Sequence, residues 1–191
     1  MNGTPPASLK LDLLSAFSVV TCGTSRYSAE SAAEAAGKTP GELQIGDSLR
    51  DATLQGLNGS PRKLSEFRGK PLIINMWASW CGPCRAEMAS LERLAWLDPA
   101  GQFTVIGIST DDYPEQAMTL LRKSNATISQ FIDSKLQMEN MLGATRLPLT
   151  VLIDANGRVL DKIYGAKAWD DPESLRLIGK MFRIRVGAPP P

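Results

Sequence analysis

Two cysteines separated by two residues, in the segment Trp80-Cys81-Gly82-Pro83-Cys84, are the part of this sequence best suited to chemistry. The spacing brings the two sulfur atoms within reach of a disulfide bond on the first turn of a helix. Pro83 favours a helix start, because its fixed φ suits the first turn and its missing N–H is not needed there. Gly82 removes side-chain bulk beside Cys81. The segment therefore predicts a redox-active pair that opens and closes as a disulfide without a large backbone movement.

The flanking residues predict the elements that position this pair. Residues 70–77 are apolar and partly β-branched, which indicates a buried strand. Residues 85–97 carry apolar side chains at helical spacing, namely Met88, Leu91, Leu94 and Ala95. The cysteines thus lie where a central strand turns into a helix. The free N–H groups and the dipole of a helix N-terminus stabilise a thiolate at such a position.

The composition disfavours several classes of function. Of the 191 residues 43% are hydrophobic and 21% are charged, which suits one globular domain with an extension. The net charge of +1 and the lack of a basic run give no support for nucleic-acid binding. There are three cysteines and no histidine, which excludes histidine-ligated zinc, haem and copper sites and also Ser-His or Cys-His catalysis. We therefore expect no metal, and no cofactor besides the cysteine pair itself.

The hydrophobic pattern along the rest of the chain alternates strands with helices. Asn58-Gly59 predicts a tight turn between strands at residues 50–55 and 61–64, which would form an N-terminal β-hairpin. Asp112 is the expected N-cap of the first helix after residue 110, and Gly143 the expected end of the next one. Strands are predicted at 102–109, 130–133, 149–153 and 158–164, and helices at 115–123, 134–142 and 171–184. This order predicts an α/β fold whose mixed central sheet is covered by helices on both faces.

The two ends of the chain are predicted to lie outside the domain, which we place at residues 41–187. Residues 13–20 form an apolar run that is too short to span a bilayer but fits a secretory signal. Cys22 follows this run, where a lipoprotein would be cleaved and acylated. The alternative is a disordered tail or a wrongly assigned start codon, with Cys22 incidental. We expect residues 1–40 to be a targeting segment and flexible linker, and residues 188–191 to be a Pro-rich tail.

The segment around the cysteines resembles the active site of the thioredoxin superfamily. Residues 68–88 are similar, more narrowly, to its extracytoplasmic thiol-disulfide oxidoreductases (TlpA/ResA-like), and the resemblance extends over about residues 45–184. It implies a thioredoxin fold with an N-terminal β-hairpin extension. It also implies a periplasmic protein that reduces the disulfides of client proteins, as the tethered reductases of cytochrome c and cytochrome oxidase assembly do.

The resemblance assigns roles to the residues around the pair. Cys81, the exposed member, would attack a client disulfide, and the more buried Cys84 would resolve the mixed disulfide. Pro148 would take the cis form and face the cysteines, so that a backbone edge next to the sulfurs can pair with a client peptide. The residues expected to contact the client are Trp80, Gly82, Pro83, Leu147 and Pro148.

Glu87, three residues after Cys84, has two interpretations. In the tethered reductases that this sequence resembles, a glutamate at this offset is linked to the dithiol by proton transfer, so Glu87 would accept the proton of Cys84. Alternatively, Glu87 is an acid early in the helix that the helix dipole stabilises. Asn75 stands six residues before Cys81, where thioredoxin itself has a buried acid, and it cannot titrate. Any proton transfer by a side chain would therefore fall to Glu87.

The predicted function is a dithiol-disulfide reductase with a membrane thiol-disulfide electron donor, since a reduced pair does not persist unaided in an oxidising compartment. A signal anchor or a lipid at Cys22 would attach it to the membrane. A disulfide oxidase is the main alternative, although oxidases usually carry a histidine between the cysteines. A peroxidase is disfavoured because Ala78 and Ile74 stand where the peroxiredoxin signature requires Thr and Pro. A metal-delivery module is disfavoured by the lack of histidine.

Overall fold

Residues 40–98 and 100–187 are described in a computed structural model, and their strands form one mixed sheet. In chain order the strands are β1 (Thr53–Gly56), β2 (Arg62–Lys63), β3 (Leu72–Trp77), β4 (Thr104–Ser109), β5 (Ser129–Ile132), β6 (Leu149–Ile153) and β7 (Val159–Tyr164). The helices are α1 (Gly82–Trp96), α2 (Pro114–Ser124), α3 (Gln137–Leu142) and α4 (Pro172–Phe182), with a 3₁₀ turn at Leu64–Phe67. The sheet order is β2-β1-β5-β4-β3-β6-β7.

β3 is the central strand, and all six of its residues are buried. Successive side chains of a strand point to opposite faces of the sheet. Ile74 and Met76 accordingly join the apolar core that α3 covers, whereas Ile73 joins the core that lies beneath α1 and α4. Burial on both faces explains why this strand is a continuous apolar run. The predicted α/β thioredoxin fold, a mixed sheet with helices on both faces, is confirmed.

The pairing of the strands brings several loops to one edge of the sheet. β3 is parallel to β4, and β4 is parallel to β5, so the loops after these three strands leave at the same edge. We call it the C-terminal edge. β6 begins there, because Leu149 pairs with Met76 in the antiparallel register of β6 and β3. The first turn of α1 and the segment before β6 therefore lie side by side at this edge.

The two N-terminal strands and α1 begin close to where the pattern predicts them. β1 and β2 pair in antiparallel register on either side of the Asn58-Gly59 turn. α1 begins at Gly82 and not at residue 85, because Cys81 takes an extended N-cap conformation and its sulfur accepts the N–H of Cys84. The helix therefore includes the cysteine motif in its first turn.

Other helix ends differ in detail from the prediction. Asp112 does not cap α2: Tyr113 is the N-cap, without a side-chain hydrogen bond, and Pro114 opens the helix. α3 begins three residues later than predicted and ends, as predicted, at Gly143, whose positive φ of 70° suits a residue without a side chain. α4 ends at Phe182, two residues before the predicted end.

Some predictions fall on residues that the structure does not describe. The targeting segment and linker, except residue 40, and the Pro-rich tail at residues 188–191 are among them, as is Cys22. Their assignments, including the lipid at Cys22, stay predictions. Within the described ranges, none of the helices has the length and apolar character that crossing a bilayer requires.

Candidate active site

The cysteine pair lies on the first turn of α1. Cys81 and Cys84 are joined by a disulfide bond, with their Cα atoms 5.3 Å apart. The sulfur of Cys81 also accepts the backbone N–H of Cys84 at 3.2 Å, so a free donor of the helix N-terminus points at this sulfur. After reduction, the same N–H and the helix dipole favour a thiolate on Cys81 over a thiol. The geometry therefore suits Cys81 as the nucleophile.

Both cysteines are buried in the oxidised protein. Cys84 has no exposed surface, and Cys81 keeps only 5% of its surface exposed. Trp77 of the sheet and Met88 of α1 belong to the same apolar cluster as the two cysteines, and Leu147 before β6 packs against it. The prediction that Cys81 is exposed is therefore wrong for this state, although Cys81 is more accessible than Cys84.

The residues next to the cysteines in the chain face solvent. Trp80 is 68% exposed, so most of its apolar surface is not packed against any described part of the chain. Gly82 and Pro83 are also exposed, and Arg85 one residue after the motif is exposed as expected. An apolar surface of this kind beside a reactive disulfide is suited to contact with another polypeptide.

The segment before β6 lies beside the disulfide and has a fixed backbone. The peptide bond between Leu147 and Pro148 is cis, as predicted. Leu147 is half-buried against the cysteine cluster, whereas Pro148 is buried. The end of β7 holds this segment at two points: the Gly165 N–H donates to the carbonyl of Pro148, and the Tyr164 hydroxyl donates to the carbonyl of Gly143, both at 2.9 Å.

Glu87 is buried one turn after Cys84 on α1, with 2% of its surface exposed. One carboxylate oxygen, Oε1, accepts a side-chain N–H of Asn75 at 2.7 Å. The other, Oε2, accepts the backbone N–H of Lys167 and the indole N–H of Trp169, both at 3.1 Å. Burial raises the pKa of Glu87 above its ordinary value of 4.5, and the N–H donors of Lys167, Asn75 and Trp169 offset part of that rise. Glu87 is therefore not a solvated acid but a buried carboxyl that takes up a proton more readily than usual.

Trp169 and Lys167 shape this site, and the sequence did not single them out. Trp169 has no exposed surface, and its indole lies 82 positions from Glu87 in the chain. No local pattern links two residues so far apart, so only the fold brings them together. Sequence reasoning could reach Glu87 through its offset from Cys84, but not the donors that surround it.

Asp111 is a third residue that the sequence pattern did not single out. It is 1% exposed, and its carboxylate accepts the backbone N–H of Ser79 at 2.9 Å and the Ser79 hydroxyl at 2.6 Å. The hydroxyl of Ser109 donates to the same carboxylate at 2.7 Å. Asp111 thus ties the end of β4 to the turn that carries Trp80. The pair of acids before α2 was the available signal, but it was interpreted as a helix cap at Asp112.

The C-terminal edge also carries a set of exposed apolar side chains. Each follows or ends a strand that reaches this edge, and each is at least one third exposed. They are Trp80 at 68%, Tyr113 at 64%, Leu136 at 42% and Tyr164 at 36%. Trp80 directly precedes Cys81, so exposed apolar surface lies beside the reactive atoms.

The strand order and the position of the cysteine pair at the start of α1 define the class of protein: the chain is a thioredoxin-like redox protein. Residues 44–177 match the Redoxin family, to which the chain belongs.

The chain is similar to several proteins of that kind. The thiol-disulfide oxidoreductase ResA of Geobacillus thermodenitrificans is 28% identical over 129 residues, which is 68% of this chain and 74% of that protein. A Chlorobium tepidum structure assigned to the thiol:disulfide interchange proteins of the DsbE type is 30% identical. It covers 73% of this chain and 99% of its own, with a TM-score of 0.68. A thiol-disulfide oxidoreductase of Bacteroides fragilis is 25% identical, with a TM-score of 0.60 over 69% of this chain and 99% of its own.

Proposed function

We propose that this protein is a thiol-disulfide oxidoreductase that reduces the disulfides of client proteins outside the cytoplasm. The observation that carries the proposal is the Cys81–Cys84 disulfide at the N-cap of α1, with a helix N–H on the sulfur of Cys81. The names of its relatives, thiol-disulfide oxidoreductase and thiol:disulfide interchange protein, support it. The Gly-Pro pair between the cysteines favours reduction as the direction.

The reaction proceeds in two exchanges. The thiolate of Cys81 attacks one sulfur of a client disulfide, forms a mixed disulfide and releases the other client sulfur as a thiolate. Cys84 then loses its proton to the Glu87 carboxylate and attacks the sulfur of Cys81, which releases the second client thiolate. Two electrons pass from the dithiol to the client, the released thiolates take up protons, and the Cys81–Cys84 disulfide remains.

The client binds at the C-terminal edge. Trp80, Gly82 and Pro83 present exposed surface beside the disulfide, and the half-buried Leu147 lies next to it, directly before the buried Pro148. An extended client segment pairs with the backbone of Leu147 and lays an apolar side chain against Trp80. Cys81 keeps 5% of its surface exposed and Cys84 none, so the sulfur of Cys81 is the one that the client reaches.

A reductase of this kind needs a source of electrons. A membrane thiol-disulfide protein would reduce the Cys81–Cys84 disulfide after each cycle, since an oxidising compartment does not maintain a dithiol. Residues 1–40 would export the protein, with a signal anchor or a lipid on Cys22 holding it at the membrane. Cytochrome c or cytochrome oxidase assembly is the proposed setting, with clients that carry cysteine pairs. No prosthetic group or metal is needed, because the cysteine pair is the redox centre.

The midpoint potential of the Cys81–Cys84 couple tests this function. The full chain is equilibrated with dithiothreitol or glutathione buffers, and tryptophan fluorescence reports the fraction reduced, because Trp77 packs against the disulfide. A value at or below about −230 mV, the thioredoxin-like end of the scale, supports a reductase. A value near about −120 mV makes the protein an oxidase, and the absence of a reversible couple overturns the redox function altogether.

A trapping experiment tests the roles of the two cysteines. The Cys84→Ser variant cannot resolve the mixed disulfide, so it should retain a covalently bound client such as oxidised insulin. The Cys81→Ser variant should retain none. Cys22→Ser is the matched control, and it should trap no client and reduce insulin at the rate of the unaltered protein. Trapping through Cys84 in the Cys81→Ser variant would reverse the assigned roles.

A further inference from the structure

The two oxygens of the Glu87 carboxylate have different kinds of partner. Oε2 accepts a backbone N–H from Lys167 and an indole N–H from Trp169, and both groups can only donate. Oε1 accepts an N–H from the side-chain amide of Asn75. An amide has a donor end and an acceptor end, so Oε1 alone faces a partner that could also accept a hydrogen bond. A proton on Glu87 is therefore accommodated at Oε1.

Only the nitrogen end of the Asn75 amide forms hydrogen bonds with the described residues. Its nitrogen donates to Glu87 at 2.7 Å and to the hydroxyl of Thr150 on β6 at 3.0 Å. Its oxygen Oδ1 has no hydrogen-bond partner in residues 40–98 and 100–187, although the residue is 99% buried, with 1% of its surface exposed. The free end of the amide therefore requires an explanation.

A cavity of about 140 Å³ lies next to Asn75. Besides Asn75, its lining includes Met88, Leu91 and Glu92 of α1, Gln130 of β5, and Ser124, Ala126 and Ile128. In the described part of the chain, no side-chain nitrogen or oxygen is both buried and without a partner. The Asn75 Oδ1 is consequently reached by solvent in this cavity, which has room for about four water molecules.

We propose that Asn75 is a positioning residue that serves both protonation states of Glu87 by turning its amide through 180°. When Glu87 is ionised, the amide nitrogen donates to Oε1, as the structure has it. When Glu87 is protonated, its O–H donates to Oδ1 of the turned amide, and the nitrogen donates to water in the cavity. The Thr150 hydroxyl can form a hydrogen bond with the amide in either orientation, since it accepts from the nitrogen or donates to the oxygen.

The rotation of the Asn75 amide is needed because the groups around the Glu87 carboxyl donate hydrogen bonds to it. No lysine or arginine forms an ion pair with it among the described residues, and the Lys167 ammonium is directed to Glu173 at 3.4 Å. The groups facing the carboxyl are the N–H donors from β3 and from the loop before α4. The charged residues Arg85 and Glu92 of α1 line the cavity next to Asn75. If the amide could not turn, the protonated Oε1 would meet the Asn75 N–H, and two donors would face each other.

This inference rests on the proposed function in one respect, that Glu87 gains and loses a proton in each cycle. It assigns to Asn75 a role in the reaction in which Asn75 itself neither gains nor loses a proton. The cavity beside the amide supplies the water that forms a hydrogen bond with whichever end of the amide faces away from Glu87.

Nuclear magnetic resonance of the oxidised full chain, with ¹⁵N in asparagine side chains only, tests the turn. Above the titration of Glu87, the Asn75 side-chain protons should show Overhauser effects to the Thr150 methyl group and exchange slowly with water. Below it, they should show effects to the Met88 methyl group and exchange about tenfold faster, the factor that one lost hydrogen bond corresponds to. An amide that keeps its contacts while Glu87 titrates overturns the proposal, as does a Glu87 that never titrates in the folded protein.

Two matched substitutions on α1 sharpen the test. Glu87→Gln carries a neutral amide that donates to Asn75, so its Asn75 signals at high pH should match those of the unaltered protein at low pH. Glu92→Gln makes the same chemical change at a residue that lines the same cavity but does not contact Asn75, and it should leave the transition unchanged. If Glu87→Gln keeps the high-pH signature, the proposal fails. Because the disulfide stays oxidised throughout, this failure is distinct from a failure of the redox function.

Discussion

At the scale of single residues, Glu87 makes folding depend on pH in a direction that can be measured. Burial holds its pKa above the ordinary value of 4.5, so the unfolded chain releases this proton at a lower pH than the folded protein does. Between the two pKa values, raising the pH therefore favours unfolding. The contribution of Glu87 to stability is complete below about pH 4.5 and is lost as the pH rises through the raised pKa.

We expect the Glu87→Gln variant to lack this pH dependence. Urea unfolding of the oxidised protein should show that the free energy of unfolding of the unaltered chain, relative to the variant, falls as the pH rises from 4 toward 7. Glu115→Gln, on the exposed side of α2, is the control and should follow the unaltered chain. A difference between Glu87→Gln and the unaltered chain that stays constant with pH contradicts the assigned cause.

Asp111 supports a second prediction at this scale. Its carboxylate accepts three hydrogen bonds, two from Ser79 and one from Ser109, and an asparagine would turn an N–H toward one of these donors. We expect Asp111→Asn to lower the free energy of unfolding by about 1–3 kcal/mol, measured by urea unfolding. The exposed neighbour Asp112 makes the matched control, and Asp112→Asn should change stability by less than about 0.5 kcal/mol. Equal effects at both positions would contradict the argument.

At the scale of elements, α1 is attached to the loop before α4 along one stripe of its surface. Glu87 accepts from that loop, Ser90 accepts the backbone N–H of Trp169 at 3.1 Å, and Arg93 forms an ion pair with Asp170. These three residues of α1 are spaced by three positions, so they lie on one face of the helix. The loop is thereby coupled to the carboxyl that the cysteines are proposed to use.

We expect Trp169→Phe to weaken this attachment while keeping most of the packing. Phenylalanine has no N–H for Glu87 and leaves a gap where the larger ring was, so the free energy of unfolding should fall by about 1–3 kcal/mol. The loss of a donor to the ionised form should also raise the pKa of Glu87 further, which a pH titration of the carboxyl carbon by NMR would detect. Trp96→Phe makes the same exchange at a residue that is 74% exposed, and both quantities should stay unchanged there.

Elements that are set by local sequence signals could be predicted, whereas contacts between distant parts of the chain could not. β3 and α1 were predictable because their apolar spacing and the Gly-Pro pair act locally. The cis form of Pro148 was predictable through the resemblance to the thioredoxin superfamily. The α2 cap was wrong because the helix begins at Pro114, which places the N-cap at Tyr113, one residue after Asp112. The neighbouring Asp111 bonds to Ser79, after the end of another strand. The donors around Glu87 come from distant parts of the chain, and no short-range signal indicates them.

At the scale of the whole molecule, the direction of the redox reaction is linked to the stability of the fold. A disulfide between cysteines three positions apart closes a small loop, and the chain-entropy model gives it a stabilisation of about 2 kcal/mol. If the oxidised protein is the more stable form, folding favours the disulfide, and the folded dithiol gives up its electrons readily. A strong oxidant has the opposite order, because its reduced form is the stabilised one.

We therefore expect the oxidised protein to unfold at a higher urea concentration than the reduced protein, by an amount corresponding to about 2 kcal/mol. Equilibrium unfolding at pH 7, with and without a phosphine reductant, measures the difference. In a variant that carries both Cys81→Ser and Cys84→Ser, the reductant should not change the urea concentration at which the protein unfolds. A reduced form that is more stable than the oxidised one would favour the disulfide oxidase.

The exposed apolar side chains of the C-terminal edge have a consequence for protein engineering. Trp80, Tyr113 and Leu136 stand on three different loops, and none of them belongs to the buried cores. Replacing one leaves no void in the interior, so the cost in stability should be small. A library that varies these three positions, and keeps Tyr164 for its hydrogen bond to Gly143, could therefore retarget the molecule to new polypeptides while the electron-transferring sulfurs and their supporting carboxyl stay untouched.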